Sequence, residues 1–253
     1  MNLRHVDLFS GIGGFALAAK EAGFETVAFC ETDPFCSEVL AKNFPHVRNH
    51  GDIRNVGKIK CDIITGGFPC QPFSVAGQRG GSQDHRFLWP EMCRVIASSR
   101  PTWVPGENVP GIISLELDNA VFDLEKLGYA CQAFTIPACA VDAAFIGDRV
   151  WIVAASGRAR LSAGWKVSIG AIVLQSMPAG GCLHRRVALP SERQYEWEEP
   201  RLVERPLARA TDGLPIKLVR LASGAAIKAF GNAIVPQIAF IIFELMKQAN
   251  DEI

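Results

Sequence analysis

The chain has 253 residues, of which 49% are hydrophobic, enough for one full-sized globular domain with a small second lobe. Charged residues make up 21%, and 26 basic residues face 26 acidic ones. That balance excludes a disordered polyelectrolyte and a chain basic throughout, while a local basic patch can still sit on a neutral whole. In chain order, Val6-Asp7-Leu8-Phe9 reads as a short buried strand, Ser10-Gly11-Ile12-Gly13-Gly14 as the turn after it, and Phe15 to Ala22 as a helix closed by Gly23. Thr26 to Phe29 is a second strand, and Asp33-Pro34 opens a helix through Asn43, with proline in its first turn. Cys61 to Thr65 is a further strand running into Gly66-Gly67-Phe68-Pro69-Cys70. Phe87 to Ser98 reads as helix, Thr102 to Val104 as strand, and Leu115 to Leu127 as one amphipathic helix ended by Gly128. Tyr129 to Ile136 and Arg149 to Ala155 are two more strands. Strands separated by helices of this length predict an α/β fold, its sheet mostly parallel with helices on both faces.

The texture changes after residue 155. Between Ser156 and Arg220 there are eleven Lys and Arg against six Asp and Glu, so the remainder is net acidic. A basic insert with little periodicity is therefore set into an acidic body. The stretch Pro236 to Lys247 reads as an apolar helix that packs back on the sheet. The apolar run Ala233 to Met246 is interrupted by Pro236, Gln237 and Glu244, so no bilayer-spanning helix is expected. Met1 to His5 offers no apolar signal-peptide core, and a soluble, cytoplasmic chain is the expectation. Eight cysteines stand at 30, 36, 61, 70, 93, 131, 139 and 182, none in a two-residue zinc or redox spacing. A chain with this much core does not need disulfides, and each cysteine other than Cys70 reads as a small buried hydrophobe.

Three strand-end features occur in order. The glycine turn Gly11-x-Gly13-Gly14 would let a ligand approach the backbone where side chains would block it. Glu31, at the end of the second strand, is placed for ribose hydroxyls. Gly51-Asp52-Ile53 puts a carboxylate beside an apolar side chain at the next strand end. Each acid alone reads more readily as a helix cap or a solvated residue, but the series points to an adenosine-containing cofactor at the carboxyl edge of the sheet. Cys70 lies just past a strand, bracketed by Pro69 and Pro72, which fix the backbone around it. A rigidly held cysteine there is placed to be a nucleophile, or simply to fill a tight turn. Glu107-Asn108-Val109 follows another strand, and Arg149 opens a later one. Sequence spacing cannot show whether Cys70, Glu107 and Arg149 meet.

Taken together, Asp7 to Phe15, Gly67 to Ser74, Glu107-Asn108-Val109 and Gly231 to Gln237 resemble, in order, four motifs of the C5-cytosine-specific DNA methyltransferases. The resemblance covers residues 1–155 and about 216–253. It implies a Rossmann-like sheet that uses S-adenosylmethionine and releases S-adenosylhomocysteine. The implied domains are a catalytic and cofactor-binding domain at 1–155, a short, irregular target-recognition region at 156–215, and a segment at 216–253 returning to the catalytic domain. Phe9, Gly11, Ile12, Gly13, Glu31, Asp52, Ile53, Pro69, Asn232 and Ala233 would bind the cofactor. Cys70 would attack C6 of a flipped-out cytosine, Glu107 would hydrogen-bond its N3 edge, and Arg149 would contact its O2. No metal is required.

Double-stranded DNA is the implied partner of a monomer, alongside a restriction endonuclease acting on the same site. Arg79 and Arg86, after Cys70, and Arg185, Arg186, Arg193, Arg201, Arg205 and Arg209 in the basic insert are the candidate DNA contacts. The motifs leave two alternatives open: a catalytically weak or silent DNA-binding homologue, and a transfer-RNA cytosine-5 methyltransferase. Three departures from the family pattern are visible, one of them the minimal recognition region. Ala144-Phe145-Ile146-Gly147 stands where the family usually has Pro-Gln-x-Arg, so a second arginine is missing, and Pro105 removes a ladder donor from a strand.

Overall fold

The computed structural model describes residues 3–69, 88–141, 147–157, 225, 228–229 and 232–251. Seven strands form one sheet: β1 (Arg4–Leu8), β2 (Glu25–Cys30), β3 (Arg48–Asn49), β4 (Ile63–Gly66), β5 (Trp103–Asn108), β6 (Tyr129–Ile136) and β7 (Arg149–Ser156). Their order is β3-β2-β1-β4-β5-β7-β6. The first five run parallel, and β7 is antiparallel to both β5 and β6. Among the described residues five helices accompany them: α1 (Gly14–Glu21), α2 (Pro34–Asn43), α3 (Trp89–Ser99), α4 (Leu117–Lys126) and α5 (Pro236–Asp251).

Alternation along the strands builds two cores. Ile63, Trp103, Trp151, Val153 and Ala155 point to one face, where Phe15 and Ala18 of α1 meet Ile238, Ile242 and Phe243 of α5. Their neighbours Ile64, Val104, Val150, Ile152 and Ala154 point to the other, against Met92 and Val95 of α3 and Ala120 and Leu124 of α4. Both faces are covered, so the central strands read as continuous apolar runs. A third cluster, Ala16, Phe29 and Leu40, seats α2. The ends of the chain meet here, because Ile234 lies so close to Gly14 that a Cβ on that glycine would stand 2.6 Å from its Cγ1.

Local signals placed some elements to the residue. Asp33 caps α2 by accepting from Cys36 N–H at 3.1 Å, and Pro34 occupies the first turn where no N–H is needed. Elsewhere the structure corrects the sequence reading. β3 has only two residues, too few to leave a periodic signal. The helix expected over Leu115 to Leu127 is α4, two residues shorter at its start, and a 3-10 turn at Pro110–Ser114 that the sequence did not mark precedes it. β5 runs on through Pro105 and Gly106 to Asn108, beyond the Thr102 to Val104 that the sequence marks as strand. Trp103 N–H donates to the Asp62 carbonyl at 3.0 Å, so the nitrogen of Pro105, two residues on, faces β4 as well. The ladder to β4 pairs Ile63 with Trp103 and Gly66 with Gly106, while the ladder to β7 pairs every residue from Trp103 to Asn108. The proline thus costs one donor on one side of a central strand and leaves the other side intact.

Beneath the sheet edge lies a buried polar chain. Thr65 donates to Asp7 Oδ1 at 3.0 Å, and the two nitrogens of His5 contact Thr65 Oγ1 at 2.8 Å and Thr26 Oγ1 at 2.9 Å. Burial pushes His5 down to about 3 and Asp7 well above the usual carboxylate range. Cys30, Cys36, Cys61, Cys93 and Cys131 are free thiols, whereas Cys139 is disulfide-bonded, against the expectation for this chain. No helix among the described residues is long and apolar enough to cross a membrane.

Candidate active site

Strand order reverses direction between β1 and β4, and ligand sites in open α/β sheets form at such a point, outside the carboxyl ends of the strands. Phe9, Glu31, Gly51, Gly67 and Val109 all follow carboxyl ends of parallel strands. Arg149 begins a strand instead of ending one, but β7 runs antiparallel to β5, which brings its first residue to the same edge. A cleft of about 680 Å³ opens along this edge.

One end of the cleft is built by the turn after β1. Phe9 takes φ +54°, a left-handed conformation that is costly for a bulky side chain. Ser10 braces it, donating from Oγ to the Asp7 carbonyl at 2.6 Å and from its backbone N–H to the Cys30 carbonyl at 3.2 Å. Gly11, at φ +53°, has open space where a Cβ would project, and its N–H donates to Glu31 Oε2 at 2.7 Å. The other Glu31 oxygen accepts from Asp33 N–H at 2.7 Å. Glu31 is therefore both a turn brace and a lining residue, with lone pairs still available to hydroxyl groups. Asp52 likewise caps the 3-10 turn Ile53–Asn55 by accepting from Arg54 N–H at 2.9 Å, and pairs with the Arg54 guanidinium at 3.2 Å. Arg94 of α3 holds that turn from below, donating to the carbonyls of Ile53 at 2.9 Å and Val56 at 2.8 Å.

At the other end, Glu107 pairs across the sheet with Trp151, which puts Arg149 on the same face one diagonal step away. Arg149 Nε meets Glu107 Oε1 at 2.9 Å. Glu107 is buried, and burial raises its carboxyl to about 7 even though the Arg149 charge pulls the other way. Gly67 makes room for it, since a Cβ there would stand 3.3 Å from Glu107 Oε2. Asn108 donates to the Phe68 carbonyl at 2.9 Å, tying the end of β5 to the segment that leads towards Cys70.

The cleft gathers most of the described residues that the sequence singled out. Phe9, Gly11, Glu31, Asp52, Ile53, Pro69, Glu107, Arg149 and Asn232 line it. Ile12, Gly13 and Ala233 do not. Gly13, at φ +89°, is pressed towards α2, and a Cβ there would stand 3.0 Å from both Leu40 and Phe44. It serves the packing of the turn and not the wall of the cleft. Cys70, Arg79, Arg86, Arg185, Arg186, Arg193, Arg201, Arg205 and Arg209 lie outside the described residues, as do the recognition region from 158 onward and Ala144 to Ile146.

Residues 3–175 match the family described as C-5 cytosine-specific DNA methylase, which is more than half of the chain. The chain belongs to this family. It is 37% identical over 146 residues to the Type II methyltransferase M2.BsuMI of Bacillus subtilis (strain 168), covering 54% of this chain and 38% of that protein. It is also 37% identical over 123 residues to the Type II methyltransferase M.HhaI of Haemophilus parahaemolyticus, covering 47% of this chain and 37% of that one. The chain thus spans less than two fifths of the length of these two relatives. Its fold is similar to that of the S. pombe Dnmt2 methyltransferase, with a TM-score of 0.69, 17% identity, and coverage of 98% of this chain and all of the other.

Several lining residues of this family member have no site role in the sequence reading. Cys30, Cys36, Phe68, Leu88 and Lys228 also face the cleft. Phe68 belongs to the Gly67 to Ser74 motif but has no role of its own there, and Leu88 reads only as an apolar residue at a helix start. Lys228 reaches the site from the far end of the chain and stands 3.9 Å from Asp33. Among the described residues there is no group of three or more His, Cys, Asp or Glu that could hold a metal ion.

Proposed function

We propose that this chain provides the cofactor-binding and catalytic part of a DNA (cytosine-5)-methyltransferase, acting on a cytosine flipped out of double-stranded DNA. The reading is carried by one cleft that holds the acids Glu31 and Asp52 with apolar Phe9 and Ile53 at one end and the Glu107–Arg149 pair at the other. The donor set at the first end fits an adenosine: carboxylates for ribose hydroxyls, apolar walls for a purine, and open space over Gly11. Glu31 would hold the ribose, Asp52 and Ile53 the adenine, and Phe9, Gly11, Pro69 and Asn232 the remaining surface. Ile12, Gly13 and Ala233 would act behind that wall. Bound there, S-adenosylmethionine supplies an electrophilic methyl group and departs as S-adenosylhomocysteine.

At the second end, the protein's task is to make C5 of cytosine nucleophilic. Cys70 would add as thiolate to C6 and leave again when C5 gives up its proton. A carboxyl near 7 keeps a proton part of the time at neutral pH, so Glu107 can donate to the N3 edge as charge develops on the ring. Arg149 would meet O2. These two groups contact one another, so an entering base replaces their contact with its own edge. Residues 156–215 would be the target-recognition region, with Arg185, Arg186, Arg193, Arg201, Arg205 and Arg209 on phosphates and base edges, Arg79 and Arg86 beside the flipped base, and 216–253 returning to the catalytic domain. A monomer in the cytoplasm, paired with a restriction endonuclease for the same site, completes the proposal.

Duplex DNA carrying 5-fluorocytosine, incubated with the protein and labelled cofactor, should trap a covalent adduct on Cys70, because fluorine cannot leave as a proton does. Cys70→Ala should abolish both adduct and transfer while retaining cofactor affinity. An adduct on another cysteine, or preference for transfer RNA over duplex DNA in competition, would overturn this assignment. A weak or silent homologue is the second reading, favoured by Gly147. Its φ of +47° is a conformation that an arginine rarely adopts, so the family's second cation cannot be restored there without strain.

A further inference from the structure

Asn49 is the second residue of β3, and no motif includes it. It is exposed and does not line the cleft, yet its side-chain amide makes four hydrogen bonds. Oδ1 accepts from the N–H of Glu31 at 3.0 Å and from the N–H of Gly51 at 3.0 Å. Nδ2 donates to the Glu31 carbonyl at 3.0 Å and to Ser37 Oγ at 3.1 Å. An amide has two donor hydrogens and two acceptor lone pairs, so this side chain is saturated by the protein where water could have served it.

Three of the four bonds go to backbone groups that carry the two cofactor-side acids. Glu31 is gripped at both its N–H and its carbonyl, and Gly51 immediately precedes Asp52. Regular pairing is too short to do this. β3 meets β2 only at Ala28 with Arg48 and Phe29 with Asn49, and a single further bond, His50 N–H to the Phe29 carbonyl at 2.8 Å, extends it. Beyond that point regular pairing no longer joins the end of β2 to the Gly51-Asp52-Ile53 turn, and the Asn49 amide bridges them.

We infer that Asn49 is a positioning residue for cofactor binding, its amide fixing the spacing of Glu31 and Asp52 so that both acids meet one adenosine. The inference rests on the cofactor reading proposed above. A different role, stabilising the surface of the fold, would lower thermal stability without changing affinity in folded protein.

Calorimetric titration of the full chain with S-adenosylhomocysteine and with adenosine, well below the unfolding temperature, separates these roles. Asn43 supplies the control, because it is also exposed and its amide bonds only to the Val39 carbonyl of its own helix. Asn49→Ala should weaken both ligands by about 10-fold, the effect of losing a few modest hydrogen bonds from the framework, while Asn43→Ala leaves both unchanged. Asn49→Asp keeps an acceptor for the two N–H groups and loses the donors, and should fall between. Wild-type protein that binds neither ligand overturns the cofactor reading and this inference with it. Wild-type binding with unchanged affinity in Asn49→Ala, or an equal loss in Asn43→Ala, overturns the inference alone.

Discussion

The two ends of the cleft hold their carboxylates by opposite means. At the β1–β3 end, Glu31 gives both oxygens to backbone N–H groups and Asp52 caps a 3-10 turn at the surface, so each acid is fixed by its chain neighbours and by nearby turns. At the β5–β7 end, Glu107 is buried inside a strand, faces one guanidinium, and has its carboxyl raised to about 7. Backbone donors stabilise a charged carboxylate and fix its place. Burial with a single cation leaves the proton close to balance near neutral pH. The first arrangement suits a group that must be held in place, and the second suits a group that must hand over a proton.

The sharpest test of this contrast is Glu107→Gln. The amide keeps the size but cannot exchange a proton with the base, and methyl transfer should slow by roughly 10²–10⁴-fold in single-turnover assays, with cofactor affinity unchanged. A variant as fast as wild type would remove the distinction between the two ends.

Arg149→Met should come next. Loss of a partner from a buried polar group costs about 1–3 kcal/mol, to be read from urea unfolding. With its cation gone, Glu107 should titrate above 7, which carboxyl-carbon NMR would detect as a shift of its midpoint. A midpoint that stays in place would mean that Arg149 does not set the protonation of Glu107.

On the other side, Glu31→Ala should weaken S-adenosylhomocysteine binding by about 1–3 kcal/mol, because it removes both a ligand contact and the brace on Gly11. Asp52→Ala should cost less, about 0.5–2 kcal/mol, as expected for a surface cap. Calorimetry that ranks the two in reverse would make Asp52 the principal anchor.

The smallest effect is a pH dependence. Glu107 is raised from its ordinary 4.5 to about 7, so between those values the folded protein holds a proton that the unfolded chain has released. Its contribution to stability is complete below about 4.5 and is lost as pH rises through 7. His5, lowered from 6.5 to about 3, acts in the opposite sense, its contribution present above 6.5 and lost as pH falls towards 3. Asp7, also raised by burial, acts in the same sense as Glu107. Unfolding measured from pH 5 to pH 8 should therefore show a downward component with rising pH that shrinks in Glu107→Gln. If it is undiminished in that variant, Glu107 does not contribute to it.

What the sequence by itself determined is what neighbours in the chain control. Asp33 and Pro34 mark the start of α2 because cap and first turn lie within four residues of each other. The alternation of strands and helices implies a mostly parallel, doubly covered sheet, and the acids after β2 and near β3 are placed at one edge by strand direction alone. Tertiary structure decided the rest. β7 is antiparallel, and only that reversal brings Arg149, 42 positions along the chain, to Glu107. β3 exists because two residues found a partner in β2, and β5 survives Pro105 because β7 supports its other side. The burial that raises Glu107 comes from packing by distant residues, and so does the turn that presses Gly13 against Leu40 and Phe44. Strand order and direction are settled by which apolar faces can be buried together, a property of the whole chain that no short window of residues contains.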